Sequence, residues 1–305
     1  MIDISNEDGL VYLNGIENGS VDLILTDPPY IISKETGMNK HYNDVKNNEY
    51  NGVVSVKTET DWLNFRETLN KPIEEIEQGY GKGWSKNNYL KYGSILGKKY
   101  CVKTDYGVWD TSFSMDLLEK YVKKFYDILR KGGTCIIWFD IWKMSDLKKL
   151  VEKYKFKQIR LIEWVKTNPQ PVNSKVNYLT NCKEYAIVCV KSGKGTFNSS
   201  YDKGIYTYPI ASGKHKFHPT QKNLQLFEDL IKKHSNVNNI VVDPFLGGGT
   251  TAIACKKLCR NFRGCEIDEL YFNKTLDVLN QITVDTIGDC GADDADGADG
   301  TKVDV

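Results

Sequence analysis

Short, strongly apolar runs rich in β-branched residues alternate along the chain with stretches whose apolar positions recur every three or four residues. The runs VDLILT (21–26), TCIIWF (134–139), QIRLIEWV (158–165), YAIVCV (185–190), NIVV (239–242) and FRGCE (262–266) predict strands, and a short one is expected at Ile2–Ser5. In 114–130, Met115, Leu118, Val122, Phe125 and Leu129 share one helical face, and Lys131-Gly132-Gly133 ends the run. Further helices are expected at about 142–154, 220–234, 250–259 and 268–282. Such alternation predicts an α/β fold, a mostly parallel sheet with helices on both faces.

The pattern fails between 31 and 105, where 12 Lys or Arg, 10 Asp or Glu and nine aromatic residues follow no steady apolar period. A loop of that length is unlike a compact domain, so the segment reads as an inserted subdomain or one ordered by a partner. A second irregular stretch, 192–217, is rich in Gly, Ser, Tyr and Lys. At 285–305 seven Asp against one Lys give −6, so the net charge of +1 leaves +7 on residues 1–284. That tail, small and acidic, is expected to be disordered. The basic body is compatible with a polyanionic partner. Eight scattered cysteines among 305 residues form no disulfide framework, and Cys255, Cys259 and Cys265 lack the paired spacing of a zinc site and read as small apolar residues. No run approaches a membrane span and no basic-then-apolar leader opens the chain, so an intracellular protein without a metal is expected.

Two segments carry chemistry. After NIVV comes Asp243-Pro244-Phe245-Leu246-Gly247-Gly248-Gly249-Thr250-Thr251 and then a helix. A glycine turn between strand and helix lets a ligand approach the backbone, and Glu266, ending the next strand, is placed to hold ribose hydroxyls. By itself this predicts an adenosine-containing cofactor. The strand VDLILT runs into Asp27-Pro28-Pro29-Tyr30. At a strand's carboxyl end, the Asp27 carboxylate and the Pro28 carbonyl are acceptors beside an aromatic ring. They suit a planar ring with an exocyclic amine, stacked on Tyr30.

Together, TDPPY (26–30), DPFLGGGTT (243–251) and HPTQK (218–222) closely resemble the motifs of S-adenosylmethionine-dependent DNA amino-methyltransferases, and their order resembles the β group. The resemblance implies a three-layer Rossmann-like methyltransferase fold: a mostly parallel seven-stranded sheet with one antiparallel strand, in circularly permuted motif order. It extends over most of residues 1–30 and 106–282, so the catalytic domain is expected at 1–30 and 106–284. The insertion at 31–105 lies outside the resemblance and is expected to be the target-recognition region because it mixes lysines with aromatics and glycines. Asp27, Pro28, Pro29 and Tyr30 become the catalytic motif. Asp243, Phe245, Gly247, Gly249 and Thr250 become the cofactor loop, Glu266 the ribose acid, Asp8 the adenine contact, and Thr220 and Lys222 neighbours of the methionine carboxylate. Asn223 stands where the family commonly has proline, which weakens the expected helix start.

In that family Asp-Pro-Pro-Tyr typically accompanies adenine N6 methylation, so the expected activity is methyl transfer to adenine in double-stranded DNA after base flipping. Cytosine N4 methylation is the nearest alternative, followed by an NAD-linked oxidoreductase and a non-catalytic DNA-binding relic. Lys82, Trp84, Lys86 and Lys91 in the insertion are the expected DNA contacts, with 192–216 as the rival location. A homodimer and a cognate restriction endonuclease are partner readings left open.

Overall fold

The computed structural model describes residues 1–30, 45–69, 71–78, 81–95, 97, 113–169, 181–212 and 216–282. The acidic tail and Tyr80, Lys98, Lys99 and Lys214 therefore lie outside the described residues. The chain divides into two compact units, Met1–Ile31 with Ser112–Val305, and Ile32–Thr111.

The larger unit is built on one sheet. Its described strands are β1 (Ile2–Ser5), β2 (Val21–Thr26), β3 (Leu129–Phe139), β4 (Lys157–Lys166), β5 (Lys183–Val190), β6 (Ile205–Tyr208), β7 (Ile240–Asp243) and β8 (Asn261–Cys265), in the spatial order β1-β8-β7-β2-β3-β5-β4-β6. Among them β5 alone runs against the others: both its pairings are antiparallel, and all remaining neighbours pair in parallel. The sheet thus has eight strands rather than the expected seven. The added one is β6, four residues (IYTY) inside the stretch read as irregular, too short for its alternation to register. Strand β3 also begins earlier than expected, at Leu129, which pairs with Val21.

The described α-helices of this unit are α1 (Gly9–Asn14), α2 (Met115–Ile128), α3 (Met144–Lys153), α4 (Leu224–His234), α5 (Thr250–Lys257) and α6 (Glu269–Gln281). The alternation of β2 sorts them into layers. Ile24 joins a core with Leu13 of α1, Leu118, Val122 and Phe125 of α2, and Leu147 and Val151 of α3. Leu23 and Leu25, facing the other way, join Leu226 and Phe227 of α4, Ile253 of α5 and Leu279 of α6. Successive side chains of a strand point to opposite faces, so the middle of a central strand covered on both faces is apolar at consecutive positions, as in Leu23-Ile24-Leu25. Side chains cap the starts of α2 and α6: Ser114 Oγ accepts from Leu117 N, and Asp268 from Tyr271 N. Asn223 accepts from Leu226 N at 3.0 Å and donates to the Pro209 carbonyl. The residue expected to weaken this helix start is its N-cap.

Strands β7 and β2 are parallel neighbours, although 217 residues separate Thr26 from Asp243. The chain leaves β7 for α5 on one face and, after the insertion, follows β2 with α2 on the other. This is the topological switch point of an open sheet, where a crevice opens beyond the strand ends.

In the smaller unit the helix Glu59–Glu67 starts with a Thr58–Asp61 capping box, and Trp84–Tyr92 lies between Gly83 and Gly93, both at positive φ. Trp62, Phe65 and Tyr89 form an aromatic core, with Phe65 stacked on Tyr89 at 4.4 Å. Nine-residue helices anchored by so few rings leave no sustained period to read.

Asp243 ties the switch point together. Its carboxylate accepts from Thr26 Oγ1 of β2 at 2.7 Å, Thr251 Oγ1 of α5 at 2.6 Å and Phe245 N at 3.1 Å. Burial outweighs these donors and raises its pKa from the ordinary 3.8 to about 6. The folded state then holds a proton that the unfolded chain has released. Its contribution is complete below pH 3.8 and is lost as pH rises through about 6. Compared with Asp243→Asn, the parent protein should therefore lose up to about 3 kcal/mol of stability between pH ~4 and ~8. Urea midpoints across that range check it, and a difference that rises with pH contradicts it.

Candidate active site

Two loops meet at the carboxyl ends of β7 and β2. The first begins at Asp243 and turns through Gly247 (φ +52) and Gly249 (φ +73) into α5, with Gly249 at the N-cap and no side-chain cap. These left-handed positions favour glycine. A Cβ on Gly249 would also lie 2.5 Å from Thr275 Cγ2. Phe245 packs against Tyr121 (4.6 Å) and Phe113 (5.6 Å), which anchors the loop to the α2 face. Glu266 is buried and accepts Gly247 N at 2.7 Å on one oxygen and Asp268 N at 2.9 Å on the other. Burial raises its pKa despite these donors. A carboxylate offers about four acceptor sites, so two backbone bonds leave capacity for a diol.

The remaining residues expected around a cofactor have plainer roles. Asp8 caps α1, accepting from Leu10 N and Val11 N at 2.9 and 3.1 Å. Thr220 is exposed and its hydroxyl lies 3.2 Å from His218 Nδ1. Thr250 is buried and donates to the Lys222 carbonyl at 3.3 Å.

Beyond β2 stands a cluster of charges. The Asp27 carboxylate receives the Lys222 ammonium at 2.5 Å on Oδ2, while Oδ1 is buried with no hydrogen-bond partner among the described residues. Lys222, 7% exposed, also lies 2.9 Å from Glu184 Oε2, and Glu184 Oε1 pairs with Lys166 at 2.7 Å. Tyr30 sits beneath: its ring centre is 5.4 Å from the Lys222 nitrogen, its hydroxyl donates to Glu184 at 3.4 Å, and it meets Phe139 edge-on. Pro28 is buried and Pro29 half-buried within the same turn. Glu184 and Lys166 escaped the sequence reading. Glu184 lies at the start of β5, and because that strand runs backwards its first residues arrive at the edge where its neighbours end.

Burial pushes the Asp27 carboxyl up; Lys222 and, more weakly, the neighbouring Tyr30 hydroxyl pull against this and Glu184 adds to it, leaving a net rise. Burial would raise Glu184 as well, but the ammoniums of Lys222 and Lys166 overcome it and hold the carboxylate at about 2. Burial disfavours the charged lysine, yet the two carboxylates more than offset this and keep Lys222 protonated.

In the smaller unit Lys82 and Lys91 are exposed, Lys86 pairs with Glu59 at 2.8 Å, and Trp84 opens its helix. In the rival stretch Lys194, Lys203 and Lys216 are exposed. The Lys191 ammonium beside it instead donates to the Asp127 and Leu129 carbonyls. Cys255 and Cys265 are buried free thiols as expected, whereas Cys259 is disulfide-bonded. Among the described residues no helix is long and apolar enough to cross a membrane.

A family model described as a DNA methylase matches residues 21–277. Type II methyltransferase M2.LlaDCHI of Lactococcus lactis subsp. cremoris is 27% identical over 199 residues, covering 59% of this chain and 74% of that protein. Type II methyltransferase M2.DpnII of Streptococcus pneumoniae is 28% identical over 202 residues, covering 59% and 75%. Among solved structures, the M1.HpyAVI–SAM complex superposes with a TM-score of 0.57 at 24% identity, covering 92% of this chain and all of that one. The cytosine-N4-specific PvuII DNA methyltransferase superposes at 0.58 with 15% identity, covering 95% and 90%. These likenesses establish the shared fold. The family match, over a sheet that joins the glycine turn to the Asp-Pro-Pro-Tyr turn, makes the chain a member of the N6/N4 DNA methylase family, the S-adenosylmethionine-dependent DNA amino-methyltransferases.

Proposed function

We propose that the chain methylates the N6 amine of adenine in double-stranded DNA at a specific site, with the target base flipped out of the duplex. The observation that carries this reading is Asp27: one oxygen is clamped by Lys222, and the other is buried and unpaired at the carboxyl edge. A buried acceptor without a donor costs free energy unless a ligand supplies one. An exocyclic N–H is such a donor, and the Pro28 carbonyl is the second acceptor. In the family that the motifs resemble, Asp-Pro-Pro-Tyr typically accompanies adenine N6 methylation, which supports adenine over cytosine.

When bound, S-adenosylmethionine supplies a methyl group on a positively charged sulfur. Asp27 and Pro28 hold the amine's two N–H groups and draw its lone pair out of ring conjugation. The Tyr30 ring gives the base a face to stack on. As the amine nitrogen accepts the methyl group, positive charge would grow on that nitrogen between Asp27 and the Pro28 carbonyl. The fixed acceptors stabilise that charge before a proton departs. The Pro244–Gly249 turn and Glu266 are the groups that would hold the cofactor. Asp8, Thr220 and Thr250 are assigned to the same cofactor region on the sequence resemblance alone. Flipping costs a few kcal/mol of stacking and pairing, which DNA contacts must offset. Lys82, Trp84, Lys86 and Lys91 are assigned that role. An open groove of about 310 Å³ in the same unit is lined by Lys57, Lys91, Val56 and Tyr92 together with the Glu49 carboxylate, so its surface mixes both charges with apolar groups. Its relatives' names, Type II methyltransferases, support a place beside a cognate restriction endonuclease.

Incubation with tritiated S-adenosylmethionine and mixed-sequence duplex DNA, followed by nucleoside analysis, should yield labelled N6-methyladenine. Label in N4-methylcytosine would overturn the adenine assignment, and an unlabelled product the whole reading. Asp27→Ala should abolish transfer while calorimetry shows cofactor affinity retained.

Gly249→Val should weaken cofactor affinity by more than about tenfold, because a branched side chain at positive φ would collide with Thr275 and distort the turn. Undiminished affinity would remove this turn from the cofactor site.

Replacing Lys82, Lys86 and Lys91 with alanine should flatten the log–log salt dependence of DNA binding by roughly 0.9 for each phosphate that is no longer neutralised. An unchanged slope would place recognition elsewhere.

A further inference from the structure

Asp27 follows β2 and Glu184 lies at the start of β5, and in the sheet β3 lies between those strands. Two strand spacings, about 10 Å, therefore separate the backbones from which the carboxylates spring. Lys222 enters from neither strand. It comes from the segment before α4, where its carbonyl accepts from Thr250, and its ammonium fills the gap between the two acids. The protein has buried three charges in one place, and a buried ion is costly unless each partner is held.

Consider what each acid does to the lysine. A lone ammonium at 2.5 Å would bind Asp27 tightly and drain the electron density that Oδ1 has to offer a target amine. A second carboxylate at 2.9 Å shares that ammonium. Glu184 is itself secured by Lys166 and by the Tyr30 hydroxyl, so with Lys222 its position is fixed from three sides.

We infer that Lys222 and Glu184 are a positioning pair for Asp27: the lysine pins Oδ2 so that Oδ1 faces the target amine, and the glutamate shares the lysine's charge so that Asp27 remains a strong acceptor. This inference rests on the reading of Asp27 as the amine acceptor. It also gives Lys222 a task other than the methionine-carboxylate contact implied by the sequence resemblance. The charged and titratable groups around Asp27 are Lys222, Glu184 and Tyr30 at short range, with Asp243 of β7 and Lys166 behind Glu184 further away. Lys222 lowers the proton affinity of Asp27 and Glu184 raises it, so removing one or the other should move Asp27 in opposite directions.

The test is the acid limb of kcat, where Asp27 must be unprotonated, measured with saturating cofactor and DNA. Glu184→Gln should shift that limb to lower pH and reduce kcat on the order of 10-fold to 100-fold, with KM for DNA changed less than about threefold. Lys222→Met should shift the limb to higher pH. A parent enzyme that yields no methylated nucleoside would defeat the underlying reading of the site. A parent that methylates, with variant limbs that stay put or move together, would defeat this inference alone. If Lys222→Met does not fold, as judged by circular dichroism and cofactor binding, Glu184→Gln decides by itself: a limb that fails to move to lower pH overturns the pairing.

Discussion

The proposed active site depends on one electrostatic constraint, a lysine ammonium enclosed between two carboxylates that the fold brings from separate strands. Breaking a buried pair by removing one partner leaves an uncompensated charge, which costs far more than an exposed pair contributes. Asp27, Glu184, Lys222 and Lys166 together sum to zero formal charge, so the cluster can be buried without a counterion. What the arrangement leaves over is a single carboxylate oxygen, Asp27 Oδ1, with lone pairs and no donor among the described residues. The direction of β5 is what makes this possible. A parallel strand would bring its last residues to this edge, whereas the reversed strand brings its first, Lys183 and Glu184.

The glycine turn proposed to hold the cofactor is organised differently, by backbone conformation and neutral donors. Asp243 is occupied by Thr26, Thr251 and Phe245, so it shapes the turn instead of facing outward. Glu266 in turn holds Gly247. The two halves are joined at Lys222, whose carbonyl takes the hydroxyl of the residue that starts α5 while its side chain reaches Asp27. Shape and charge are thus set by separate groups linked through one residue.

Much of this is legible in the sequence. The apolar runs of β2 and β3 had to be central strands, and the pairing of a glycine turn with an Asp-Pro-Pro-Tyr turn pointed to cofactor and base. The opaque parts share a physical reason: their meaning lies in long-range placement. Glu184 is an ordinary strand-end acid until the strand is known to run backwards. Tyr206 and Tyr208 alternate over too few residues to announce β6. Asn223 looks like a flaw because the resemblance supplies proline, while the structure uses its side chain as a cap. Asp8, expected at the adenine, also caps α1, a role its position before GLVYL does not announce. Helices of the smaller unit lean on Trp62, Phe65 and Tyr89, drawn from two separate segments.

The most direct test of the clamped, half-free Asp27 is a crystal structure of the protein with its DNA duplex and a non-reactive analogue of the cofactor. It should show a flipped adenine whose amino nitrogen lies about 2.9 Å from Asp27 Oδ1, with Oδ2 still on Lys222 and the Pro28 carbonyl as the second acceptor. An amine bound elsewhere, or an Asp27 turned so that Lys222 occupies both oxygens, would contradict it.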